Sequence, residues 1–537
     1  MIAPRWVRDR SMAIVSRRRF LELVGAAGGS TAVYRTASAL GLMAAPGAMP
    51  LADLQPLQGA KRKVLILGAG IGGLTAAYEL RKVGYECKIL ESSHRAGGRN
   101  LTLRHGDIVD ELGQQQVCRF DDNEDLYLNA GAARIPPDHT LLMSYCRALG
   151  VELQLWNNDN RNAYYQDDAA FGGKPVRQRQ YIADTRGFMS ELLAKSVSAT
   201  ALDAPISEVD TQRLLELAKA FGDLNDSHLY AGSSRGGYKR GSFVLHGEHH
   251  EPFDFSELMN ASFWRWAMHF NESSDQAGTM LTARGGMDHI VKGFMRHVGD
   301  AVHLNAWVKG VELTDRGVRV SYIENGERKT EEADYVLNSI PTHLLLGLRH
   351  NFPKDYVEAL SRPKRGELFK MGLQASKRFW EDDRIYGGVT WTSQPITQIW
   401  YPNHGFHSQK GILLAAYTFF PGAGAYFTRL TPEERFQEVL RQGGKIHLGW
   451  EQYIENGVSI AWHRMNHMMG CSAEWSGDDV EKHFKRLQRP AGRHYLIGDQ
   501  ITYHTGWQEG AMRSAHLAMA DINQRVQAEL RGDATHA

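Results

Sequence analysis

The chain has 537 residues, which at roughly 100–200 residues per domain predicts about three units, or one large domain with an insertion. Apolar residues make up 42% and charged residues 23%, close to globular averages, so disorder, collagen and coiled-coil arrays are excluded as the main class. A formal charge of +1 gives no footprint for nucleic acid, and the absence of a long uninterrupted apolar run predicts no transmembrane helix and no stable membrane anchor. Cys87, Cys118, Cys146 and Cys471 are too few and too scattered for a disulfide framework or a zinc site, and the 23 histidines show no metal-ligand spacing, so no metal is expected.

The first sixty residues are set apart from the fold. Arg17 and Arg18 sit in Ser-Arg-Arg-Arg-Phe-Leu, a weakly apolar stretch runs from Leu23 to Tyr34, and Ala37-Ser38-Ala39 offers a small-residue cleavage pattern. This resembles a twin-arginine export signal, which would send an already folded protein to the periplasm or outside. Glu22 and Arg35 depart from the usual pattern. A disordered basic N-terminus is the other reading, and it leaves the protein in the cytoplasm.

Lys63 to Leu67 reads as a short buried strand, and Gly68-Ala69-Gly70-Ile71-Gly72-Gly73 follows at once as G-x-G-x-x-G. Leu74 to Val83 reads as a helix ending at Gly84, and a second strand, Cys87 to Leu90, ends in Glu91, 18 positions beyond Gly73. Strand, glycines, helix and acid together predict a dinucleotide site. Gly68 makes the tight turn, Gly70 admits a pyrophosphate, and Gly73 lets helix and strand pack closely. The helix N-terminus faces the phosphates with free N–H groups, and Glu91, followed by Ser92, accepts from a ribose diol.

Further along the chain come Arg95-Ala96-Gly97-Gly98-Arg99, Gly131-Ala132-Ala133-Arg134-Ile135-Pro136, Gly285-Gly286-Met287-Asp288 and Ala306-Trp307-Val308. They are followed by Lys370, Phe379-Trp380-Glu381, Ala416-Tyr417, Trp462 and the segment from Gly498 to Ala511. In kind and order these landmarks resemble the flavin amine oxidase superfamily, and within it the L-amino acid oxidases most, with amino acid 2-monooxygenases as near relatives.

The resemblance implies FAD, bound without a covalent link. Around it stand Gly68, Gly70, Ile71, Gly72, Gly73, Glu91, Ser92, Arg99 beside the pyrophosphate, and the backbone of Gly131, Ala132, Ala133 and Arg134. Val308 would hold the adenine, and Trp462, Gly498, Asp499, Gly506, Trp507, Gln508 and Glu509 would complete the site. In some monoamine oxidases a cysteine placed as Cys471 forms a thioether to the flavin. The Gly-Gly-Cys-Tyr setting is not kept here, so an unlinked cofactor is expected, with Ser472 lining the side-chain pocket.

The same resemblance implies that Arg134 binds a substrate carboxylate, that Tyr417 gives it a second hydrogen bond, and that Lys370 holds a water beside flavin N5. The Gly506 carbonyl accepts from the substrate amine, Trp507 forms an apolar wall, and Phe419 and Ser472 border the side-chain pocket. Structural alternatives stand beside these roles: Arg134 paired with Asp138, Lys370 reaching solvent, Tyr417 with its hydroxyl at the surface, Trp507 in core packing. The activity implied is oxidation of L-amino acids by O2 to 2-oxo acid, ammonia and hydrogen peroxide. Its rivals are a 2-monooxygenase giving amide and carbon dioxide, an amine or polyamine oxidase, and an exported flavoprotein without turnover. A homodimer fits the relatives.

The expected fold is α/β, a Rossmann-like FAD-binding domain interleaved with a mixed-sheet substrate domain and a helical insertion, as in amine oxidases and p-hydroxybenzoate hydroxylase. The FAD domain gathers residues 61–115, 284–345 and 485–527, the substrate domain 116–137, 240–283 and 346–484, and the insertion 138–239. Asp138 is placed to cap a helix that Gly150 stops, a hairpin is expected over 302–323 with its turn at Glu324-Asn325-Gly326, and a last helix runs from 506–511 to about Glu529. Phe263-Trp264-Arg265-Trp266 reads as core or pocket wall, and His504 as a structural histidine.

Overall fold

Lys63–Leu67 lies at the centre of a five-stranded parallel sheet, as its unbroken apolar run requires. The strand order across that sheet is Val302–His303, Glu86–Leu90, Lys63–Leu67, Tyr335–Asn338, His494–Leu496. In the computed structural model, residues 53–59, 61–198, 207–419 and 422–532 are described. Arg17, Arg18 and the apolar stretch after them therefore lie outside the described residues. The helix Ile71–Lys82 follows the first strand directly and packs against the C-terminal helix Gln508–Arg531.

Gly73 shows why the loop carries glycine. A Cβ there would collide with the carbonyl of Gly68, so helix and strand could not close on each other. Gly68 itself has a φ of 100°, the turn that aims the helix N-terminus across the C-terminal edge of the sheet.

A four-stranded sheet, ordered Glu327–Ala333, Val318–Glu324, Ala306–Leu313, Arg349–His350, covers one face of the parallel sheet. Leu65, Leu67, Leu90, Val311, Val320 and Val336 form one buried cluster between them. The expected hairpin is a three-stranded meander: Ala306–Leu313 already turns back at 314–317, and Asn325-Gly326 makes the second turn. The extra strand, Glu327–Ala333, alternates exposed charge with half-buried side chains, a weak apolar signal.

The third layer is a seven-stranded mixed sheet, ordered Ile454–Ala461, Phe369–Ala375, Gly411–Thr418, Gln398–Trp400, Val389–Thr392, Tyr164–Gln166, Val176–Arg177. Every residue of Phe369–Ala375 is buried, including Lys370. Lys370 is paired in register with Tyr417 on one neighbour and Ile460 on the other, which fixes Lys370 and Tyr417 side by side on one face. Helices Gln178–Ser198 and Glu208–Gly222 pack together within 138–239, the first also against the strands Tyr164–Gln166 and Val176–Arg177.

The helix at 140 corrects the expected cap. Thr140–Ala148 begins after His139, and no side chain of its own segment caps it. Glu509 does so from the C-terminal helix, accepting from the Leu141 N–H at 3.2 Å and the Leu142 N–H at 2.8 Å.

A fully buried ion pair ties the seven-stranded layer together. Arg435, on helix Pro432–Gly443, meets Glu111 at 2.8 Å with both side chains 0% exposed. Glu111 also accepts from the Ala461 N–H at 2.7 Å, at the strand end that leads into Trp462. Removing one partner of such a pair leaves an uncompensated charge in the interior and costs about 3–5 kcal/mol. Arg435→Met is expected to lower unfolding stability by that amount in a urea titration; a loss below about 1 kcal/mol would show that Glu111 finds another partner.

Candidate active site

The C-terminal edge of the parallel sheet faces the seven-stranded sheet, and the residues singled out in the sequence converge there from both. At the glycine loop, a Cβ on Gly70 would meet nothing within 4 Å, so space is open on the side where phosphates approach. Ile71 and Gly72 begin the buried helix, and a Cβ on Gly72 would come within 3.1 Å of the Ala511 carbonyl. Glu91 is buried, and burial raises its pKa although the Ala69 and Ser93 N–H groups donate to it at 2.7 and 2.8 Å. Ser92 Oγ lies 3.4 Å from the same carboxylate, and the Ala306 N–H, two residues before Val308, donates to the Glu91 carbonyl. Val308 is half-buried against the core between the sheets.

Arg99 is not free to serve a phosphate alone. Its guanidinium forms a two-pronged pair with Asp499, Nη1 at 3.0 Å from Oδ2 and Nη2 against Oδ1, and Nη1 also donates to the Cys471 carbonyl at 3.1 Å. Burial would raise the Asp499 pKa, yet Arg99 holds it below the ordinary value, so the carboxylate stays charged. Its Oδ2 also accepts from the Gly506 N–H at 2.6 Å, which fixes the turn into the last helix. The Gly498 N–H donates to Ser514 Oγ at 2.8 Å, and Gln508 Oε1 accepts from Asn100 at 2.9 Å.

The positive charge left unmatched belongs to Arg365, which the sequence did not single out. Its Nη2 donates to the Cys471 carbonyl at 2.7 Å, while Nε and Nη1 are buried with no partner. Burial first, then Arg99, pushes its pKa down to about 10. Arg365 in turn helps burial lower the pKa of His343, whose two ring nitrogens are also buried without partners. The orphaned donors of the buried Arg365 guanidinium fit an anionic group such as a dinucleotide phosphate. Cys471 is a free thiol packed partly into an apolar cluster.

Around Arg134 the seven-stranded sheet supplies Trp400 and Tyr417. Gly131 has no room for a side chain, since a Cβ would collide with the Arg99 carbonyl, and the tight chain there carries Arg134 into the interior. Arg134 is 8% exposed, with its guanidinium 4.9 Å from the ring of Trp400, 5.6 Å from Trp507 and 5.9 Å from Phe270. Nε and Nη2 donate to Gln276 Oε1 at 3.1 and 2.9 Å. Among the described residues no carboxylate lies within 4.0 Å, so the Asp138 pair is not formed. Burial lowers its pKa, and only the neighbouring Tyr417 and a more distant Asp275 work against that.

Lys370 stands on the same face and does not reach solvent. Its Nζ donates to the carbonyls of Asn129 at 3.1 Å and Gly131 at 2.5 Å and lies 4.7 Å from the Tyr417 ring centre. Burial, reinforced by Arg134, pushes its pKa down to about 7. Tyr417 is raised by burial, with Arg134 opposing. Trp507 caps the last helix and meets His139 edge-on at 5.0 Å; burial drives that histidine down to about 3, so it is a neutral ring. Ser472 lies beside Gly506, and Phe419 lies 5.2 Å from Tyr417 and 5.6 Å from Trp266. Trp462 Nε1 donates to the Ala130 carbonyl at 3.1 Å, fixing the backbone that leads through Gly131, Ala132 and Ala133 to Arg134.

Arg134, Lys370, Tyr417 and Trp507 are thus brought together, with Gly506, Ser472 and Phe419 at the margin. The Glu509 carboxylate is held by the amides of Leu141 and Leu142 and by Arg513. Gln276, Trp400, Arg365 and His343 join the site without a signal in the sequence. Only Arg365, in the approach to the buried strand of Lys370, lies near a landmark.

Fold and site together define a dinucleotide-binding α/β protein with a buried cationic site facing the nucleotide loop. The profile of the family described as flavin containing amine oxidoreductase matches residues 71–523, and the chain belongs to that family, whose cofactor is a flavin. It is 26% identical over 487 residues to an L-amino-acid oxidase of Bothrops atrox, covering 86% of this chain and 89% of that protein. An L-amino-acid oxidase of Bungarus fasciatus is 24% identical over 493 residues, covering 87% of each. Among solved structures, cyclohexylamine oxidase from Brevibacterium oxydans superposes with a TM-score of 0.59 at 15% identity, over 87% of this chain and 100% of that one. A putrescine oxidase bound to putrescine superposes with 0.58 at 20% identity, over 86% and 99%. These two show the fold, and with the family they bear out the α/β architecture of the flavin amine oxidases.

The Lys370 environment makes stability depend on pH. Between about 7 and the ordinary lysine value of 10.5, the unfolded chain binds a proton at Nζ that the folded chain has released. Stability therefore rises with pH through that window, and the cost of burying the ammonium is fully present below it. Lys370→Met is expected to raise the unfolding temperature more at about pH 6 than at about pH 10. Equal gains in thermal unfolding at the two pH values would show that Lys370 is not depressed.

Proposed function

We propose that the protein oxidises L-amino acids with FAD and O2, giving 2-oxo acid, ammonia and hydrogen peroxide. The observation that carries this reading is Arg134: a buried guanidinium with no carboxylate partner among the described residues, beside the Tyr417 hydroxyl. A simple amine has nothing to offer such a group, whereas an α-carboxylate neutralises it and is oriented by its planar donors.

Arg134 and Tyr417 fix the carboxylate and thereby the position of the neighbouring carbon. The Gly506 carbonyl accepts from the substrate amine, and the Trp507 ring closes one side, so the Cα–H is held toward the cofactor. Bound flavin supplies the acceptor for the hydride that leaves Cα. Lys370, held by two carbonyls and poised near neutrality, can keep a water or exchange a proton at Nζ. The released imine is hydrolysed by water. Relatives named L-amino-acid oxidases that match over 86% of the chain support the same reading.

Anaerobic mixing with L-amino acids and with their decarboxylated amines tests it. The amino acids are expected to bleach the flavin and the amines to leave it oxidised; bleaching by amines alone would overturn the proposal. In air, stoichiometric hydrogen peroxide is expected, and an amide product would assign the chain to the monooxygenases. Losing the charge partner of a buried carboxylate costs about 2–5 kcal/mol. Arg134→Met should therefore raise the KM for L-amino acids roughly 30-fold or more while FAD stays bound. An unchanged KM in steady-state kinetics would reject the anchoring role.

A further inference from the structure

We infer that Gln276 is a specificity-determining residue: its neutral carboxamide occupies one edge of the Arg134 guanidinium, holds the opposite edge toward Tyr417, and leaves the charge available for a substrate carboxylate. The inference rests on the amino-acid reading above and says how the site admits an acid.

A guanidinium has two edges that can grip a carboxylate in parallel, one made by Nε and Nη2 and one by Nη1 and Nη2. In this protein the first edge is filled. Nε and Nη2 both donate to Gln276 Oε1, and two donors converging on one atom fix the amide with its oxygen toward Arg134. Gln276 is itself anchored. Its carbonyl accepts from Nδ2 of Asn158 at 2.5 Å, Asn158 is 2% exposed, and its N–H donates to the Ser273 carbonyl at 2.9 Å. The rings of Trp400, Trp507 and Phe270 enclose the guanidinium, so it cannot rotate to present the filled edge instead. What remains is the Nη1 edge together with the Tyr417 hydroxyl.

The amide matters for its charge as much as for its shape. Glutamate in the same place would form the same two hydrogen bonds and would also neutralise Arg134. The guanidinium would then be an internal ion pair with little attraction for an incoming anion. A glutamine keeps the orientation and leaves the charge open. Asp275, next in the chain, influences Arg134 only at longer range.

Gln276→Glu is the direct test because it changes one atom and preserves volume. In the FAD-loaded protein, the KM for L-amino acids is expected to rise at least about 100-fold, with kcat at saturation changed far less and FAD content unchanged. The Kd of a non-reacting carboxylate, read from the flavin absorbance shift, is expected to weaken in parallel. An unchanged KM and Kd would overturn the inference and leave the amino-acid reading standing. A wild-type protein that is reduced by amines and ignores amino acids would overturn both. Gln276→Met covers the case in which the glutamate variant fails to fold. It frees the Nε edge without adding charge, and a roughly tenfold rise in KM is expected from lost orientation. Wild-type kinetics in Gln276→Met would overturn the positioning role.

Discussion

A guanidinium held among three aromatic rings, with an amide in place of a counter-ion, is costly for a fold to keep. Most of the features near it can be understood as holding it there. Gly131 brings the chain against Arg99, and Trp462 secures the Ala130 carbonyl just before that approach. Lys370 stitches the carbonyls of Asn129 and Gly131 to the seven-stranded sheet. The pairing of Lys370 with Tyr417 in the sheet then places an ammonium or amine and a phenol next to Arg134 by register alone. Two cationic side chains, each lowered by burial and with no carboxylate between them, form a site that favours an anion.

The nucleotide side follows a contrasting charge logic. Arg99 and Asp499 neutralise one another across 400 residues of chain, and the pair serves to join the glycine-rich segment after the second strand to the turn that starts the last helix. The net positive charge there rests on Arg365. Its orphaned nitrogens are the donors left for an anionic cofactor.

What the sequence made legible was local. Lys63 to Glu91 encodes strand, turn, helix and acid in 29 consecutive residues, and all four elements form there. The last helix, expected to open at 506–511 and run to about Glu529, spans Gln508–Arg531. Contacts made between distant segments were not legible. Glu509 stands in the segment whose resemblance implies a cofactor role, and its carboxylate also caps another helix more than 360 residues earlier in the chain. Asp499 is met by the two-pronged grip of Arg99, a contact 400 residues away in the chain. Gln276 lies in a stretch of mixed polar residues with no period, and only the folded chain shows that it meets Arg134.

The Arg134 edge opposite Gln276 and the Tyr417 hydroxyl beside it are the proposed carboxylate site. A crystal structure of the FAD-loaded protein soaked with a non-reacting aromatic carboxylate measures this directly. Both carboxylate oxygens are expected within hydrogen-bond reach, about 3 Å, of Arg134 Nη1 and the Tyr417 hydroxyl, with Gln276 still on the opposite edge. A carboxylate bound elsewhere, with Arg134 holding Gln276 alone, would contradict it.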